Sequence, residues 1–298
     1  MAKPILRWIG TKRNQAAGLA RQMFTAMAPG GRYFEPFLGS ASVALALVGL
    51  GVPAANMVLA DRLDTLIETY QALTLYPEQT IELYGQLGAR ATTPATKRRI
   101  YGALRASLNE ARRQGALAGT PRPPLAAAFL YVNARGFNGV VRQNKSGDFN
   151  MSIGEVAAGR ARLCTSEELA SFALALRGAL LWHADFERVI DQATAGDLIY
   201  CDPPYDGTWT GYSTEWAEND QRRLASALRA AHRRGATIFA SNANTERIRG
   251  LYAWCEIIDR EVYYQVAQKP SQRGYRGEVL LIARSGYSGN AEVRSGPT

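Results

Sequence analysis

Apolar and polar positions follow two different periods over the first 75 residues. Short apolar runs at residues 32–36 and 56–61 predict buried strands, and amphipathic runs at residues 40–50 and 63–75 predict helices. A helix follows each strand, and this order is typical of a parallel α/β sheet.

The middle of the chain has a mainly helical pattern. Residues 77–135 carry helical periodicity, with Pro94 placed to open one helix and a proline-rich break at residues 119–124. Residues 140–152 predict a β-hairpin with Lys145-Ser146-Gly147-Asp148 as its turn.

The α/β alternation returns after Thr165. The predicted elements are strands at residues 179–183, 197–201 and 236–241, a helix at 218–234, and closing strands at 252–263 and 277–283. The tail after Ser285 is predicted to be disordered. The sequence therefore predicts an α/β domain made of residues 1–76 and 163–298, interrupted by a mainly helical insert, residues 77–162, that ends in the hairpin.

The composition disfavours several classes of protein. Cys164, Cys201 and Cys255 are far apart and form no CxxC pair, and the chain has only two histidines, so we expect neither a metal site nor a disulfide framework. The first residues lack the apolar core of a signal peptide, which favours a cytoplasmic protein. Residues 36–60 carry no charge, but glycines and a proline divide them into pieces too short for a membrane span.

Positive charge is concentrated in the predicted insert. The chain has a net charge of +9, and residues 76–162 contain 13 Lys or Arg against five Asp or Glu, a balance of +8. Such a segment is typical of a surface that binds a polyanion. A solvated helix face would produce the same run of charge, and the charge alone does not separate the two interpretations.

The most informative motif is Asp202-Pro203-Pro204-Tyr205, which follows the apolar run at residues 198–201. Ligands of open α/β sheets bind at the carboxyl ends of the strands. The prolines leave carbonyl groups without competing N–H donors. Asp202 and the Pro203 carbonyl can each accept an N–H bond from an amine, and Tyr205 offers a ring on which a base can stack. A proline turn with a capping aspartate is the plainer alternative.

This motif and others in the same order, from about Leu6 to about Ala283, resemble the Dam family of adenine-N6 DNA methyltransferases. The opening segment around Trp8 and Lys12 is similar to the family's W-x-G-G-K-R cofactor motif, although Thr11 replaces the second glycine. The resemblance implies a Rossmann-like methyltransferase domain, an inserted DNA-recognition domain at residues 77–162, and S-adenosylmethionine as the cofactor.

Further cofactor-binding residues are implied at the ends of three predicted strands. Glu35, Phe37 and Gly39 lie in a segment that resembles the family's F-x-E-P-F-x-G-S loop, in which Glu35 is suited to the cationic methionine part of the cofactor. Asp61 ends the second strand, where a carboxylate can accept from ribose hydroxyls. Two more residues follow a later strand and would hold the cofactor adenine by a hydrogen bond and by stacking: Asp185 and Phe186. Asp202 is also expected to face the cofactor.

The hairpin region resembles the family's N-x-x-x-F-N-G-x-x-R-x-N-x-x-G-x-F-N element, which enters the DNA groove. The candidate DNA-binding residues are Arg135, Asn138, Gly139, Arg142, Asn144, Lys145 and, in the loop after the DPPY motif, Tyr212. Arg142 can bond a guanine edge, Lys145 suits a phosphate, and Tyr212 is expected near the stack that a flipped base leaves. Gln143 stands where the family has an aromatic residue, so the target site can differ from GATC.

The resemblance implies methyl transfer from S-adenosylmethionine to N6 of a flipped adenine in duplex DNA, in a bacterial or phage-infected cell. The sequence leaves the oligomeric state open, and a monomer is the simplest expectation. Related tetrapeptides serve cytosine-N4, RNA and protein-amine methylation, which stay open as alternatives. A DNA-binding protein that kept the fold and lost catalysis is a second alternative. Whether the enzyme acts alone, belongs to a phage or accompanies a restriction nuclease is left open by the sequence.

Overall fold

The fold is built on one seven-stranded sheet. The computed structural model describes residues 2–115, 120–137, 141–154, 162–206, 216–264 and 274–285. The strands are β1 (Tyr33–Glu35), β2 (Met57–Asp61), β3 (Leu180–His183), β4 (Leu198–Cys201), β5 (Thr237–Ala243), β6 (Glu256–Tyr264) and β7 (Gly274–Ala283). Their order across the sheet is β3-β2-β1-β4-β5-β7-β6, and only the pairs that involve β7 are antiparallel among the pairs described.

Ten α-helices are described around this sheet. They are α1 (Ala16–Ala26), α2 (Ser42–Gly49), α3 (Asp64–Leu75), α4 (Pro77–Arg90), α5 (Pro94–Arg113), α6 (Pro123–Arg135), α7 (Ser166–Ala175), α8 (Phe186–Ile190), α9 (Glu218–Arg233) and α10 (Glu246–Leu251). A 3-10 turn at Ala54–Asn56 precedes β2. Pro94 is the first residue of α5, as predicted. Thr93, the residue before it, forms a capping box with Thr96. None of the helices in the described ranges combines the length and apolarity that crossing a bilayer requires.

The central strands are buried on both faces, and their side chains divide between two cores. Leu198 and Tyr200 of β4 belong to one core, and Ile199 and Cys201 belong to the other. This alternation follows from the two-residue period of a strand. It explains why β4 reads as a continuous apolar run, since helices cover both faces of the parallel part.

The first of these cores extends beyond the sheet. It joins Tyr33 and Leu59 of the sheet with Tyr101 of α5, Phe129 of α6 and Phe149 of the hairpin region. Helix α6 contacts α3, α4 and α5. The helices at residues 77–135 therefore pack on the α/β part through one continuous apolar core.

Two predicted elements need correction. The strand predicted at residues 252–263 starts at Glu256, because residues 246–251 form α10, and Tyr252 at its end is 1% exposed within the core. A four-residue apolar stretch does not distinguish a buried helix end from a strand. The predicted strand at residues 236–241 runs on to Ala243. The predicted tail after Ser285 lies outside the described residues.

Candidate active site

The candidate active site lies where the strand order reverses. Strand β1 pairs with β2 on one side and with β4 on the other, so the loops that follow β1 and β4 diverge at the carboxyl edge of the sheet. Such a switch point is where open α/β sheets bind ligands. Glu35 ends β1 and Asp202 directly follows β4. The two carboxyl groups therefore come from neighbouring strands at the same edge of the sheet, close enough for Asp202 to raise the pKa of Glu35.

Lys12 joins the opening segment to the DPPY turn. Its ammonium lies 3.3 Å from Asp202 Oδ1 and 3.1 Å from Glu278 Oε1. It also donates to the Tyr205 hydroxyl and lies 4.7 Å from the centroid of the Tyr205 ring. The structure thus brings together Lys12, Asp202 and Tyr205, which the sequence assigned to cofactor binding and catalysis, and adds Glu278 to them.

Asp202 is a carboxylate in a poorly solvated position. Its side chain is 18% exposed. Burial raises the pKa of Asp202 to about 6, an effect that Lys12 opposes and Glu278 reinforces. The carboxylate form therefore predominates at neutral pH, with a pKa close enough to neutrality for proton exchange.

Glu35 is buried more deeply, with 3% of its surface exposed. Burial raises the pKa of Glu35 to about 8, while the Tyr33 hydroxyl, which donates to Glu35 Oε2 at 2.8 Å, acts in the opposite direction. Asp202 and Asp61 raise this pKa further by repulsion. A buried carboxyl group with a raised pKa is costly to ionise, and a ligand that brings a positive charge lowers that cost.

The loop after β1 is held in shape by Asp61 and Tyr70. Gly39 donates its N–H to Asp61 Oδ2 at 2.9 Å and accepts from the Tyr70 hydroxyl at 2.9 Å. Gly39 has a φ of 47°, and a Cβ atom there would come within 2.7 Å of Trp8 Nε1. The close approach that requires glycine is thus to the Trp8 ring, which brings three predicted cofactor residues, Trp8, Gly39 and Asp61, together.

Thr11, which replaces the family's glycine, forms hydrogen bonds with the loop that follows β1. Its hydroxyl lies 2.9 Å from Ser40 Oγ and 3.0 Å from Ser42 Oγ, and the two serine hydroxyls are 2.8 Å apart. This triangle ties the opening segment to the loop before α2. The threonine therefore adds a hydrogen-bonded contact where the family has only backbone.

The predicted adenine-binding residues lie in an aromatic cluster. Phe37 stacks on Phe186 with 5.6 Å between ring centroids, and Trp216 contacts both rings at their edges. Asp185 caps α8 by accepting from Glu187 N and also pairs with Arg223 at 3.1 Å. The sequence did not single out Trp216, whose position beside two predicted cofactor residues makes it a further candidate.

The hairpin region packs along one face of α5. Asn109 bonds both the N–H and the carbonyl of Phe149, at 2.7 and 3.0 Å, and Arg112 donates to the Gly147 carbonyl. Arg105 and Tyr101, one and two turns before Asn109, donate to the carbonyl of Met151. These positions share a helix face. The two arms pair at the isolated bridges Gln143↔Phe149 and Gly136↔Ile153.

The predicted DNA-binding residues of the hairpin are exposed but partly engaged. Asn144 Oδ1 accepts from Ser146 N and Asp148 N, at 3.0 and 2.9 Å, and so shapes the predicted turn. Arg142 donates to Asn150 Oδ1 at 2.8 Å across the hairpin. Lys145 is exposed at the tip. Arg135 lies at the end of α6 over the Tyr131 ring.

Three predicted DNA contacts cannot be placed. Asn138, Gly139 and Tyr212 lie outside the described residues. Gln143, the departure from the family pattern, has a buried Nε2 atom with no hydrogen-bond partner in the described part of the chain.

Glu278 is the main site residue that the sequence analysis missed. It is 1% exposed and pairs in register with Ala243 of β5 and Arg260 of β6. A glutamate immediately before the apolar run at residues 279–283 was a signal, because a buried charge needs a partner. The sequence Arg276-Gly277-Glu278-Val279 resembles a segment of the family, and it was interpreted first as support for the fold and only second as a source of site residues.

Comparisons with known proteins identify the family of the chain. The model of the family described as D12 class N6 adenine-specific DNA methyltransferase matches residues 8–266. The retron Ec67 DNA adenine methylase of Escherichia coli is 31% identical over 250 residues, which cover 83% of this chain and 80% of that protein. The DNA N-6-adenine-methyltransferase of Escherichia phage P1 is 31% identical over 260 residues, 84% of this chain and 31% of that protein.

A third relative extends over nearly the full length of both chains. The DNA adenine methylase of Vibrio cholerae serotype O1 is 29% identical over 288 residues, which cover 94% of this chain and 95% of that protein. The predicted resemblance is thus confirmed, and with it the mixed α/β fold around a seven-stranded sheet. The chain belongs to the D12 class of N6 adenine-specific DNA methyltransferases.

Proposed function

We propose that this DNA methyltransferase transfers a methyl group from S-adenosylmethionine to N6 of an adenine that is flipped out of duplex DNA, within GATC or a related short site. The observation that carries the proposal is the position of Asp202. It follows β4 at the switch point of the sheet, beside the buried Glu35 and within 3.3 Å of Lys12. An amine acceptor thus adjoins a cation-binding pocket.

The chemistry of the crevice fits the proposed cofactor. S-adenosylmethionine carries positive charge and ribose hydroxyls and has no phosphate, and the crevice offers buried carboxylates rather than a phosphate-binding loop. The residues that would hold it are Trp8, Lys12, Glu35, Phe37, Gly39, Asp61, Asp185, Phe186 and Asp202. When bound, the cofactor supplies an electrophilic methyl group that its sulfonium has already activated, so this transfer needs no metal.

The catalytic turn prepares the adenine amine. The lone pair of this amine is delocalised into the ring, so the amine is a weak nucleophile. Asp202 and the Pro203 carbonyl would each accept one of its N–H bonds, which draws the nitrogen toward tetrahedral geometry and localises the lone pair. Pro204 keeps the turn rigid, and the Tyr205 ring would stack on the extruded base. With its pKa near 6, Asp202 is suited to accept the proton that the amine releases.

The basic insert would hold the duplex. We assign DNA recognition to residues 77–162 and methyl transfer to residues 1–76 and 163–298. Arg142 would read a base edge, Asn144 would donate through its amide, and Lys145 would contact a phosphate. Arg135, Asn138, Gly139 and Tyr212 complete the proposed contacts. Arg98 and Arg99 of α5 are exposed and form no ion pair within the described ranges, which leaves their charge available to DNA.

A methylation assay tests the proposal. Purified protein is incubated with S-adenosylmethionine labelled in the methyl group and with unmethylated plasmid, and the DNA is then digested to nucleosides. We expect label in N6-methyladenine and none in N4-methylcytosine, with single-molecule sequencing placing the label in one short motif. Label in cytosine, or label only in added RNA or protein, would overturn the proposed substrate.

A further inference from the structure

The catalytic turn, residues 202–206, has fewer backbone N–H groups than usual with which to stabilise its conformation. Pro203 and Pro204 have no N–H, so two of its peptide units cannot donate to a neighbouring strand or across the turn. The turn is partly buried, so its remaining backbone groups need hydrogen-bond partners elsewhere. In this protein they come from side chains of α9 and β5.

Two buried amides supply these bonds as a chain. Gln221, in the first turn of α9, donates from Nε2 to the Pro204 carbonyl at 2.9 Å. Asn242, near the end of β5, donates from Nδ2 to Gln221 Oε1 at 3.0 Å. Asn242 Oδ1 in turn accepts from Asp206 N at 3.1 Å. Each amide side chain is 1% exposed.

The chain of amides holds Tyr205 from both sides. The Pro204 carbonyl precedes Tyr205 and the Asp206 N–H follows it, so the two peptide units around this residue are fixed by one continuous set of hydrogen bonds. The carboxylate of Asp206 is anchored separately, by Thr245 at 2.9 Å and Arg247 at 2.7 Å. The end of the turn is therefore tied to both β5 and α10.

We propose that Gln221 and Asn242 are positioning residues for methyl transfer, which fix the Tyr205 ring and the Pro203 carbonyl in the orientation that receives the target amine. The inference rests on the proposed function, since that function gives the Tyr205 ring and the Pro203 carbonyl their roles. Within the described residues, neither amide forms a hydrogen bond with Lys12, Asp202 or Glu278. We therefore expect their effect on the reaction to pass through the backbone of the turn.

The direction of the hydrogen bonds makes the role testable. A carboxylate in place of the Gln221 amide can still accept from Asn242, but it cannot donate to the Pro204 carbonyl unless it is protonated. The substitution Gln221→Glu keeps the size and shape of the side chain. It therefore removes the hydrogen bond to the Pro204 carbonyl while the carboxyl group is ionised, and it restores that bond when a lower pH protonates the group.

The experiment compares kcat, KM and cofactor affinity of Gln221→Glu and the wild type between about pH 8 and about pH 6, a range in which a buried carboxyl group titrates. At the upper end we expect kcat to fall about ten- to a hundredfold, the loss typical of a small misplacement of reacting groups, with affinity for S-adenosylmethionine changed less than about twofold. The ratio of variant to wild-type kcat should rise as the pH falls.

Gln71→Glu is the matched control. Gln71 of α3 donates from Nε2 to the Leu181 carbonyl at 2.8 Å, the same chemistry at a strand remote from the turn. An equal loss of kcat in this control, or a pH-independent ratio for Gln221→Glu, would overturn the proposal. Asn242→Asp keeps both Oδ1 acceptor bonds and removes the bond to Gln221, so it should lower kcat in the same direction by less.

The outcomes separate this inference from the proposed function. A wild type that transfers no methyl group to adenine overturns the proposed function and the positioning role with it. Full activity in both Gln221→Glu and Asn242→Asp overturns the positioning role alone. If thermal unfolding shows that Gln221→Glu does not fold, Asn242→Asp decides the question, since its Oδ1 bonds to Asp206 N and Ala243 N remain available.

Discussion

The sheet edge and the hairpin region hold their charged groups in opposite ways. At the sheet edge, Glu35 and Glu278 are buried, and repulsion among carboxylates helps to raise the pKa values of Glu35 and Asp202. In the hairpin region, Arg142 and Lys145 are exposed to solvent. The first arrangement stores unfavourable energy that a cationic ligand relieves, and the second offers charge that a polyanion neutralises.

This difference separates the contacts that determine the reaction from those that determine where on the DNA the protein binds. A small displacement of a buried carboxylate changes both its pKa and its hydrogen-bond partners. The chemistry at the sheet edge therefore depends on the positions of these groups. An exposed arginine adapts to its ligand, and its contacts with Asn150 can exchange for contacts with a base. Substitutions at the sheet edge should therefore reduce turnover or cofactor affinity, whereas those in the hairpin should reduce DNA affinity and site selection.

The largest expected effect is that of Asp202→Asn. An amide keeps the shape but loses one acceptor, so we expect kcat to fall about a hundred- to a thousandfold, as for loss of one group that stabilises a transition state. Transfer of labelled methyl groups to DNA at saturating cofactor measures it. Wild-type kcat should also fall as the pH drops through about 6, where Asp202 becomes protonated.

Asp197→Asn is the control for burial without chemistry. Asp197 precedes the same strand at its opposite end, is 4% exposed and pairs with Arg32 at 2.8 Å. This variant should unfold at a lower temperature and keep its kcat per folded molecule. Equal kcat losses in the two variants would show that the sheet edge is only structural.

The next effect is that of Arg142→Ala. Loss of one bidentate contact with a base costs about 1–3 kcal/mol, so kcat/KM on the preferred site should fall about ten- to a hundredfold, with cofactor affinity unchanged. Arg113→Ala serves as the control, because Arg113 pairs with Asp148 of the same hairpin at 2.9 Å and braces it. Equal losses in both would mean that Arg142 only supports the hairpin.

The sequence predicted the fold well where the periodicity was strong. The strands at residues 57–61 and 198–201 and the helix at residues 64–75 were predicted within about two residues, because apolar period and turn residues agree there. Helix α10 was missed because six residues with one fully buried apolar side chain carry almost no period. Its packing on α9 is a tertiary effect that local pattern does not contain.

Prediction of the site succeeded for residues in motifs and failed for residues that only support them. Lys12 and Asp202 stand in motifs, and the structure places them 3.3 Å apart although 190 positions separate them. Gln221 belongs to no motif, and the segment around Glu278 was taken mainly as support for the fold. Both residues act through partners that only folding brings close. A buried polar residue is recognised from its partner, and the partner is not adjacent in the sequence.

A moderate effect should appear in the pH dependence of cofactor binding. Burial raises the pKa of Glu35 to about 8, so in the empty protein Glu35 is mostly protonated at pH 7. A cationic ligand favours the carboxylate, so affinity for S-adenosylmethionine should rise with pH by up to about tenfold per unit and level off above about pH 8. Calorimetry across this range measures the change.

Two comparisons isolate the role of Glu35 in that titration. Glu35→Gln should bind more weakly and lose the rise that the carboxylate causes. S-adenosylhomocysteine keeps the amino group of the cofactor but lacks the sulfonium charge, so its affinity should rise less with pH in the wild type. The same pH dependence for both ligands would assign the titration to the amino group that they share.

The smallest effect is expected from Lys145→Ala, at the exposed tip of the hairpin. A lysine that contacts a phosphate adds affinity without sequence preference, because its binding releases a counterion. DNA affinity measured between low and moderate salt should fall equally for specific and unrelated duplexes, and the slope of log affinity against log salt should decrease by about one. Arg142→Ala should instead weaken binding to the preferred site more than to the unrelated duplex. If Lys145→Ala changes preference while leaving the slope intact, then the tip reads bases, and the division between a geometric sheet edge and an adaptable hairpin no longer holds at this residue.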